Sequence, residues 1–244
     1  MFEKLRFMLL QVRDHADPMR LQEVQCFLRS LRCEPHQLAT FDLLAGAPNQ
    51  RELACVDVVL IGGSGDYSVV TGGNWLPPAS DTMRELSELS KATFASCWGF
   101  QALASALGGN VVTDVSRAEL GTHTVTLTSA GRLDPVFGSL DLSFPAQMGH
   151  QDIVDRLPPN ATLLASTPRV VNQAFVMTGK PIYGTQFHSE LRCADFLMRI
   201  RSYPAYIETI AGMPLEEFIA TCRETPTVST LPRQFVDWFL AQDG

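Results

Sequence analysis

Residues 93–101 have the sequence TFASCWGFQ, in which a short apolar strand runs directly into a helical segment. The helical pattern continues over residues 100–107. Cys97 therefore lies at a strand-to-helix junction. Ala95 and Gly99 flank it two positions away on either side, and small residues suit those positions because bulky side chains would clash where strand and helix converge. The segment predicts a sharp turn with a cysteine at its tip.

The sequence before this turn alternates between strand and helix patterns. Residues 7–12 predict a buried strand, and Asp17-Pro18 supplies an N-cap and a first-turn proline for the helix that follows. Residues 56–61 are continuously apolar, so both faces of that strand must be covered, as in a parallel sheet. The apolar residues expected on the inner face of the first helix are Leu21, Val24, Leu28 and Leu31.

The remaining segments complete a doubly wound α/β pattern. Alternating residues at 111–128 predict antiparallel strands laid against the main sheet, and 178–181 predict a turn before the last strand. We expect one α/β domain over residues 1–244, with a mostly parallel sheet and a small antiparallel extension. A last amphipathic helix around 235–239 is expected to pack on this sheet. The further strands are predicted at 38–44, 92–96, 161–165, 174–177 and 182–187, and the further helices at 80–90, 193–202 and 215–221.

The composition restricts the partners and the compartment. The formal net charge is −7 and Lys and Arg form no cluster, which argues against a nucleic-acid-binding surface. The apolar run at 7–10 is too short for a secretory segment or a membrane span. The six cysteines form no CxxC pair and lack zinc-site spacing, so we expect no metal site. These features favour reduced thiols in a cytoplasmic protein with small-molecule or protein partners.

Cys97 has the surroundings that a nucleophile needs. The positive end of the helix dipole favours a thiolate, and the free amide groups of the first helical turn can hold an oxyanion. A buried structural cysteine is the simpler interpretation of this segment taken alone.

His188 and Glu190 follow the last predicted strand in the sequence FHSE, residues 187–190. If the extended conformation persists, both side chains project from the same face. A carboxylate could then orient the imidazole while the imidazole takes a thiol proton. The alternative is a solvated His and Glu at a strand end.

A glycine-rich turn, residues 61–66, follows the most apolar strand. Open α/β sheets bind ligands at such strand ends. The glycines would let backbone amides approach a developing oxyanion, although the same string could cradle a phosphate or simply turn the chain. It lacks GxGxxG spacing and a following lysine, which disfavours the phosphate interpretation.

These three segments, in this order, resemble the class I (triad) glutamine amidotransferases. The family's G-x-C-x-G-x-Q motif is similar to residues 95–101, its H-x-E motif to 188–190 and its G-G-P-x-S/D motif to 62–66. Residues 147–152, QMGHQD, resemble the substrate loop of the GMP-synthase-like branch. The resemblance covers roughly residues 7–190.

The resemblance implies a three-layer, flavodoxin-like amidotransferase fold and a role for each matched residue. Cys97 would be the nucleophile, His188 the base and acid, and Glu190 the group that orients His188. No cofactor is implied, because a thiolate hydrolyses an amide without one. The backbone amides of Gly63 and Trp98 would form the oxyanion hole, and the substrate-binding residues would be Gly65, Gln101, Met148, Gly149 and His150.

Four residues depart from the family pattern: Ala95, Ser64, Phe100 and Ser189 replace a glycine, a proline, a histidine and a proline. None of these changes removes a reacting atom, but they leave the substrate open. One hypothesis is a glutaminase subunit that passes ammonia from glutamine to a separate synthetase. A second is a free-standing γ-glutamyl hydrolase or peptidase. A third is a binding or regulatory module without catalysis.

Overall fold

A computed structural model of the protein describes residues 2–242, which form a mixed nine-stranded sheet covered by helices. The strands are β1 (Phe7–Val12), β2 (Leu38–Asp42), β3 (Val58–Ser64), β4 (Thr93–Ser96), β5 (Asn110–Thr113), β6 (Glu119–Leu127), β7 (Ser143–His150), β8 (Asp152–Arg156), β9 (Ala161–Ser166), β10 (Ala174–Met177) and β11 (Ile182–Thr185). The helices are α1 (Met19–Leu31), α2 (Gln50–Ala54), α3 (Leu76–Glu88), α4 (Trp98–Ala106), α5 (Ser129–Leu133), α6 (Cys193–Ser202), α7 (Leu215–Thr221) and α8 (Leu231–Leu240).

The sheet has the strand order β2-β1-β3-β4-β11-β10-β9-β6-β7. The five strands from β2 to β11 run parallel, and each later neighbour pairs antiparallel. The predicted α/β, flavodoxin-like class is confirmed. The antiparallel part is larger than predicted, because residues 147–150, expected in a substrate loop, belong to the edge strand β7. Strands β5 and β8 form a separate two-stranded sheet.

The buried strands explain the three layers. Successive side chains of β1 enter opposite cores: Phe7 and Leu9 pack on one face of the sheet, Met8 and Leu10 on the other. In β3, residues 58–61 are fully buried on both faces. This is the burial expected of a parallel sheet with helices on each side.

The six predicted helices are present close to their predicted positions, whereas α2 and α5 were not predicted. One inner-face residue of the first helix was predicted wrongly. α1 begins at Met19, whose N–H donates to Asp17 Oδ1 at 2.8 Å. Leu21 was expected on its inner face but is 75% exposed, because the buried face centres on Phe27 and Leu31. Within residues 2–242, no helix is both long and apolar enough to cross a membrane.

The last helix packs on the chain's own sheet, as expected. Phe235 of α8 is fully buried. Its ring centroid lies 5.6 Å from that of Phe94 on β4 and 5.5 Å from that of Tyr183 on β11. The C-terminal helix therefore covers the two strands that lead into the turn at Cys97 and the segment at His188.

The close approach of β3 and α4 gives a first prediction, for Gly99→Ala. A Cβ at Gly99 would lie 2.7 Å from Ile61 Cβ and 2.9 Å from Ile61 O, so a methyl group cannot fit without moving backbone. We expect a loss of about 1–3 kcal/mol in the free energy of unfolding in urea. The exposed control in the same helix, Ser105→Ala, should change it by less than about 0.5 kcal/mol. Equal stabilities for the two variants would contradict this packing.

Candidate active site

Cys97 lies at the strained turn between β4 and α4. Its φ of 51° and ψ of −103° fall outside the regions that residues with side chains normally adopt. Two hydrogen bonds hold the turn: Cys97 N–H donates to Thr185 O at 2.8 Å, and Gln101 N–H donates to Cys97 O at 3.2 Å. The residue is 6% exposed. The thiol is thus placed at the carboxyl end of the parallel sheet, where residues 93–101 predict it.

His188 and Glu190 meet behind this cysteine. The chain leaves β11 at Thr185, and His188 N–H then donates to Gln147 O of β7 at 2.9 Å. His188 Nδ1 lies 2.8 Å from Glu190 Oε1, and Ser96 Oγ donates to Glu190 Oε2 at 2.8 Å. Both side chains are buried. The main-chain hydrogen bond of His188 to Gln147 and the side-chain hydrogen bond of Ser96 to Glu190 therefore fix the imidazole and the carboxylate relative to each other.

The charges of the three side chains reinforce one another. Burial disfavours a charged His188, but the charge of Glu190, then the charge of Cys97 and the hydrogen bond to Glu190, raise the pKa of His188 to about 9. Burial also works against an ionised Glu190, but His188, and next Arg199, lower the pKa of Glu190 to about 2. At neutral pH the pair is therefore an imidazolium beside a carboxylate, the charge state that can stabilise a thiolate.

Gly63 and Trp98 are the predicted oxyanion donors, and their amides are placed differently. Trp98 is the first residue of α4, so its N–H has no intrahelical acceptor. The Gly63 N–H instead donates to the buried Glu23 Oε1 at 3.1 Å. A Cβ at Gly63 would lie 2.9 Å from His188 Cε1. In this arrangement His188 packs against the Cα of Gly63, and the N–H of Gly63 is hydrogen-bonded to Glu23.

A cavity of about 260 Å³ lies beside Cys97. Of the predicted substrate-binding residues, Gly65, Gln101, Gly149 and His150 line it. Met148 does not, because its side chain is fully buried in the core. Among residues 2–242, no three side chains of His, Cys, Asp or Glu are grouped as metal ligands would be. The cavity is large enough for a small amino-acid-like molecule next to the sulfur.

Two polar side chains of the cavity are already oriented by the protein. Gln101 Nε2 donates to Asp152 O at 2.8 Å and to Gln186 Oε1 at 3.1 Å, which leaves its Oε1 as the acceptor for a ligand. His150 Nε2 lies 3.2 Å from the buried Glu119 Oε2, and its Nδ1 is buried without a partner. The cavity thus offers one fixed acceptor and one anchored imidazole.

Sequence reasoning missed the residues that cover and surround the site. Tyr206 and Ile210, in the connection between α6 and α7, line the cavity, and Tyr206 Oη donates to Gly65 O at 3.2 Å. Glu119 and Arg199 support His150 and Glu190 from distant parts of the chain. No local motif marks these residues, because each acts through a contact between remote elements.

A sheet of this kind, with a thiol, an imidazole and a carboxylate gathered at one strand-to-helix turn, is typical of α/β enzymes that use a cysteine nucleophile. The chain belongs to the class I glutamine amidotransferase family, whose model matches residues 22–200. The resemblance drawn from the sequence motifs is confirmed.

Individual relatives include a GMP synthase subunit and a gamma-glutamyl peptidase. The chain is 33% identical over 141 residues to a glutamine-hydrolysing GMP synthase subunit of Sulfolobus acidocaldarius, covering 58% of this chain and 71% of that one. It is 27% identical over 170 residues to gamma-glutamyl peptidase 3 of Arabidopsis thaliana, covering 67% of each. It spans only 21% to 33% of the length of several glutamine-hydrolysing GMP synthases that it also matches.

A solved structure supports the fold. The chain superposes on a glutamine amidotransferase from Thermotoga maritima with a TM-score of 0.75 and 20% sequence identity, covering 97% of this chain and 98% of that one. At this identity the likeness establishes the architecture alone.

Proposed function

We propose that this protein hydrolyses the γ-glutamyl amide of glutamine, or of a related γ-glutamyl compound, through a Cys97 thioester. The observation that carries the proposal is that Cys97 and His188 both lie against Gly63, with 2.8 Å between His188 Nδ1 and Glu190 Oε1. Membership of a glutamine amidotransferase family supports the choice of substrate class.

The first half-reaction forms the thioester. His188 holds the proton of the Cys97 thiol, and the thiolate attacks the δ-carbonyl carbon of the substrate. The carbonyl oxygen becomes an oxyanion, which the Trp98 amide is placed to hold. Loss of one such donor typically costs about 3 kcal/mol of barrier. His188 then gives its proton to the leaving nitrogen, so that ammonia or an amine departs as the C–N bond breaks.

The second half-reaction releases glutamate. A water molecule attacks the thioester carbon while His188, now neutral, takes the water proton. The C–S bond breaks, and the proton returns to the sulfur. Glu190 stays ionised throughout, because its function is to fix the ring of His188 and stabilise its positive charge.

The cavity beside Cys97 would hold the amino-acid end of the substrate. Gln101 Oε1 can accept a hydrogen bond from the α-ammonium group. The α-carboxylate would lie at the part of the cavity that Gly149 and His150 line. Gly65 and Gly149 line the space between them without side chains, which leaves room for the substrate.

Two versions of this function are supported by different observations. The similarity to a GMP synthase subunit supports delivery of ammonia to a separate synthetase. The similarity to a γ-glutamyl peptidase supports a free-standing hydrolase. In both versions Tyr206 and Ile210 contribute part of the cavity wall from the chain's own residues.

The decisive experiment measures glutamate release by the purified protein alone, with glutamine and with γ-glutamyl dipeptides. Rapid turnover of the dipeptides would support the free-standing hydrolase, and slow turnover of glutamine alone the partnered glutaminase. The same samples are treated with a diazoketone analogue of glutamine, which should label Cys97 in either case. No turnover and no labelling would refute the proposal and leave a non-catalytic binding or regulatory module.

A further inference from the structure

A buried arginine touches two of the three proposed catalytic groups. Arg199 projects from α6 and its side chain is 7% exposed. Its Nη1 lies 3.5 Å from Glu190 Oε1 and 3.4 Å from His188 Nδ1. A cation is therefore in direct contact with the atoms through which the carboxylate and the imidazole interact.

Residues of α1 hold this guanidinium in place. Arg199 Nε donates to Gln22 Oε1 at 2.9 Å, and Arg199 Nη2 lies 3.7 Å from Glu23 Oε1. The Glu23 side chain is fully buried and also pairs with Arg13 at 3.1 Å. The Glu23 oxygen that faces Arg199 accepts the Gly63 N–H as well. Arg199 thus belongs to a buried network of charged side chains that extends to Gly63 of β3, next to His188.

Burying the guanidinium of Arg199 opposes folding, so a role in stability alone does not explain its position. Removing a guanidinium from water carries a desolvation penalty of several kcal/mol. It also stands beside His188, where it repels the imidazolium, while it attracts the carboxylate of Glu190. An arginine here acts on the triad in two opposite senses: it favours the ionised carboxylate and disfavours the protonated imidazole.

We propose that Arg199 is a positioning residue of the triad. It fixes the Glu190 carboxylate in contact with His188, and its charge limits how firmly His188 keeps its proton, so that the proton can pass to the leaving nitrogen. This inference rests on the proposed amide hydrolysis. Glu23 orients Arg199 and balances its charge.

The charged and titratable groups around this contact come from several elements, and they must be identical in all the proteins that the test compares. They are Glu190 and Cys97 in the site, Glu23 and Cys26 on α1, Arg13 after β1, and Tyr203 and Tyr206 after α6. Substitution of Arg199 alone leaves all of these in place.

The test follows the titration of His188 by NMR in a Cys97→Ser background, where no thiolate contributes. The signal is assigned by its absence in His188→Ala. Arg199→Met keeps an unbranched apolar side chain and removes the charge, so the midpoint of the His188 titration should rise by about one pH unit. Arg199→Lys should leave it close to the parent value. The matched control on the same helix is Arg201→Met, at an exposed position, which should not shift it.

Activity provides a second reading with Cys97 restored. Arg199→Met should lower kcat/KM at neutral pH by about tenfold or more, and Arg199→Lys should recover part of the loss. Should Arg199→Met fail to fold, Arg199→Gln carries the same expectations. A midpoint in Arg199→Met or Arg199→Gln that is unchanged or lower would overturn the proposal, whatever the activity. Because the titration needs no turnover, it tests Arg199 even if the parent protein hydrolyses neither glutamine nor γ-glutamyl peptides.

Discussion

Replacing Cys97 by serine is expected to lower γ-glutamyl amide hydrolysis by roughly 10⁵-fold, to the limit of detection. A serine hydroxyl is far less acidic than a thiol, and the proposed route needs a sulfur nucleophile. The raised pKa of His188, about 9, arises in part from the charge of Cys97 and would fall without it. The neutral imidazole would then have to remove a proton from an alcohol.

The same substitution should leave the fold intact. Serine is close to cysteine in size, and the two backbone hydrogen bonds that hold the turn, with Thr185 and Gln101, do not involve the side chain. The measurement is glutamate release together with the thermal unfolding midpoint. Cys55→Ser, at an exposed thiol, is the matched control and should keep full activity. More than about 1% residual activity in Cys97→Ser would rule out a thioester route.

The features that local sequence determines were predicted well. The turn at Cys97 follows from the small residues Ala95 and Gly99, and the structure gives the steric reason at Gly99, which abuts Ile61. Residues 193–202 and 215–221 form helices over the predicted ranges because their ends carry local signals. The position of β3 in the parallel part of the sheet follows from its continuously apolar residues 58–61, which only a covered sheet can accommodate.

The features that depend on pairing between remote segments were predicted poorly. Residues 147–152 were expected to form a substrate loop, but 147–150 pair with residues 119–122 of β6. That pairing buries the side chain of Met148, which was expected in the substrate site. Leu21 has a helical spacing that suits the core, yet the orientation of α1 is set by its contacts with the sheet.

The supporting charges of the site were beyond sequence reasoning for the same reason. Glu23 and Gly63 are 40 residues apart in the chain, and their hydrogen bond depends on how α1 lies over β3. Arg199 belongs to a helix that looks ordinary in sequence. The chemistry-bearing residues could be found by motif, whereas the residues that tune them appear only when the elements are packed.

Replacing Glu190 by glutamine is expected to lower kcat/KM by about 10³-fold to 10⁴-fold. The glutamine can occupy the same space between His188 and Ser96 but carries no charge. The imidazolium that forms as the thiol loses its proton would then lack its stabilising partner. An amide can also present its NH₂ group to His188 Nδ1, which would favour the wrong tautomer of the ring. The measurement is kcat/KM for the substrate that the wild-type protein turns over.

The pH dependence identifies the cause of this loss. The acylation step needs protonated His188, so wild-type kcat/KM should decline as the pH rises through about 9, the pKa of His188 beside Glu190 and Cys97. Without the carboxylate that pKa is lower, and the decline should begin at a lower pH. The exposed Glu88→Gln should leave both the rate and the profile unchanged.

The pH dependence of the free energy of unfolding tests the charge of Glu190 independently of activity. The pKa of Glu190 is lowered in the folded protein, to about 2, so its ionisation stabilises the fold above the ordinary glutamate pKa of about 4.5. That contribution is lost as the pH falls from about 4.5 towards 2. Glu190→Gln should therefore unfold with a weaker dependence on pH in this acid range than Glu88→Gln does. The contrary outcome is a Glu190→Gln variant with a lower kcat/KM but with the wild-type pH dependence of both kcat/KM and the free energy of unfolding. That result would show that Glu190 acts by packing and not by its charge.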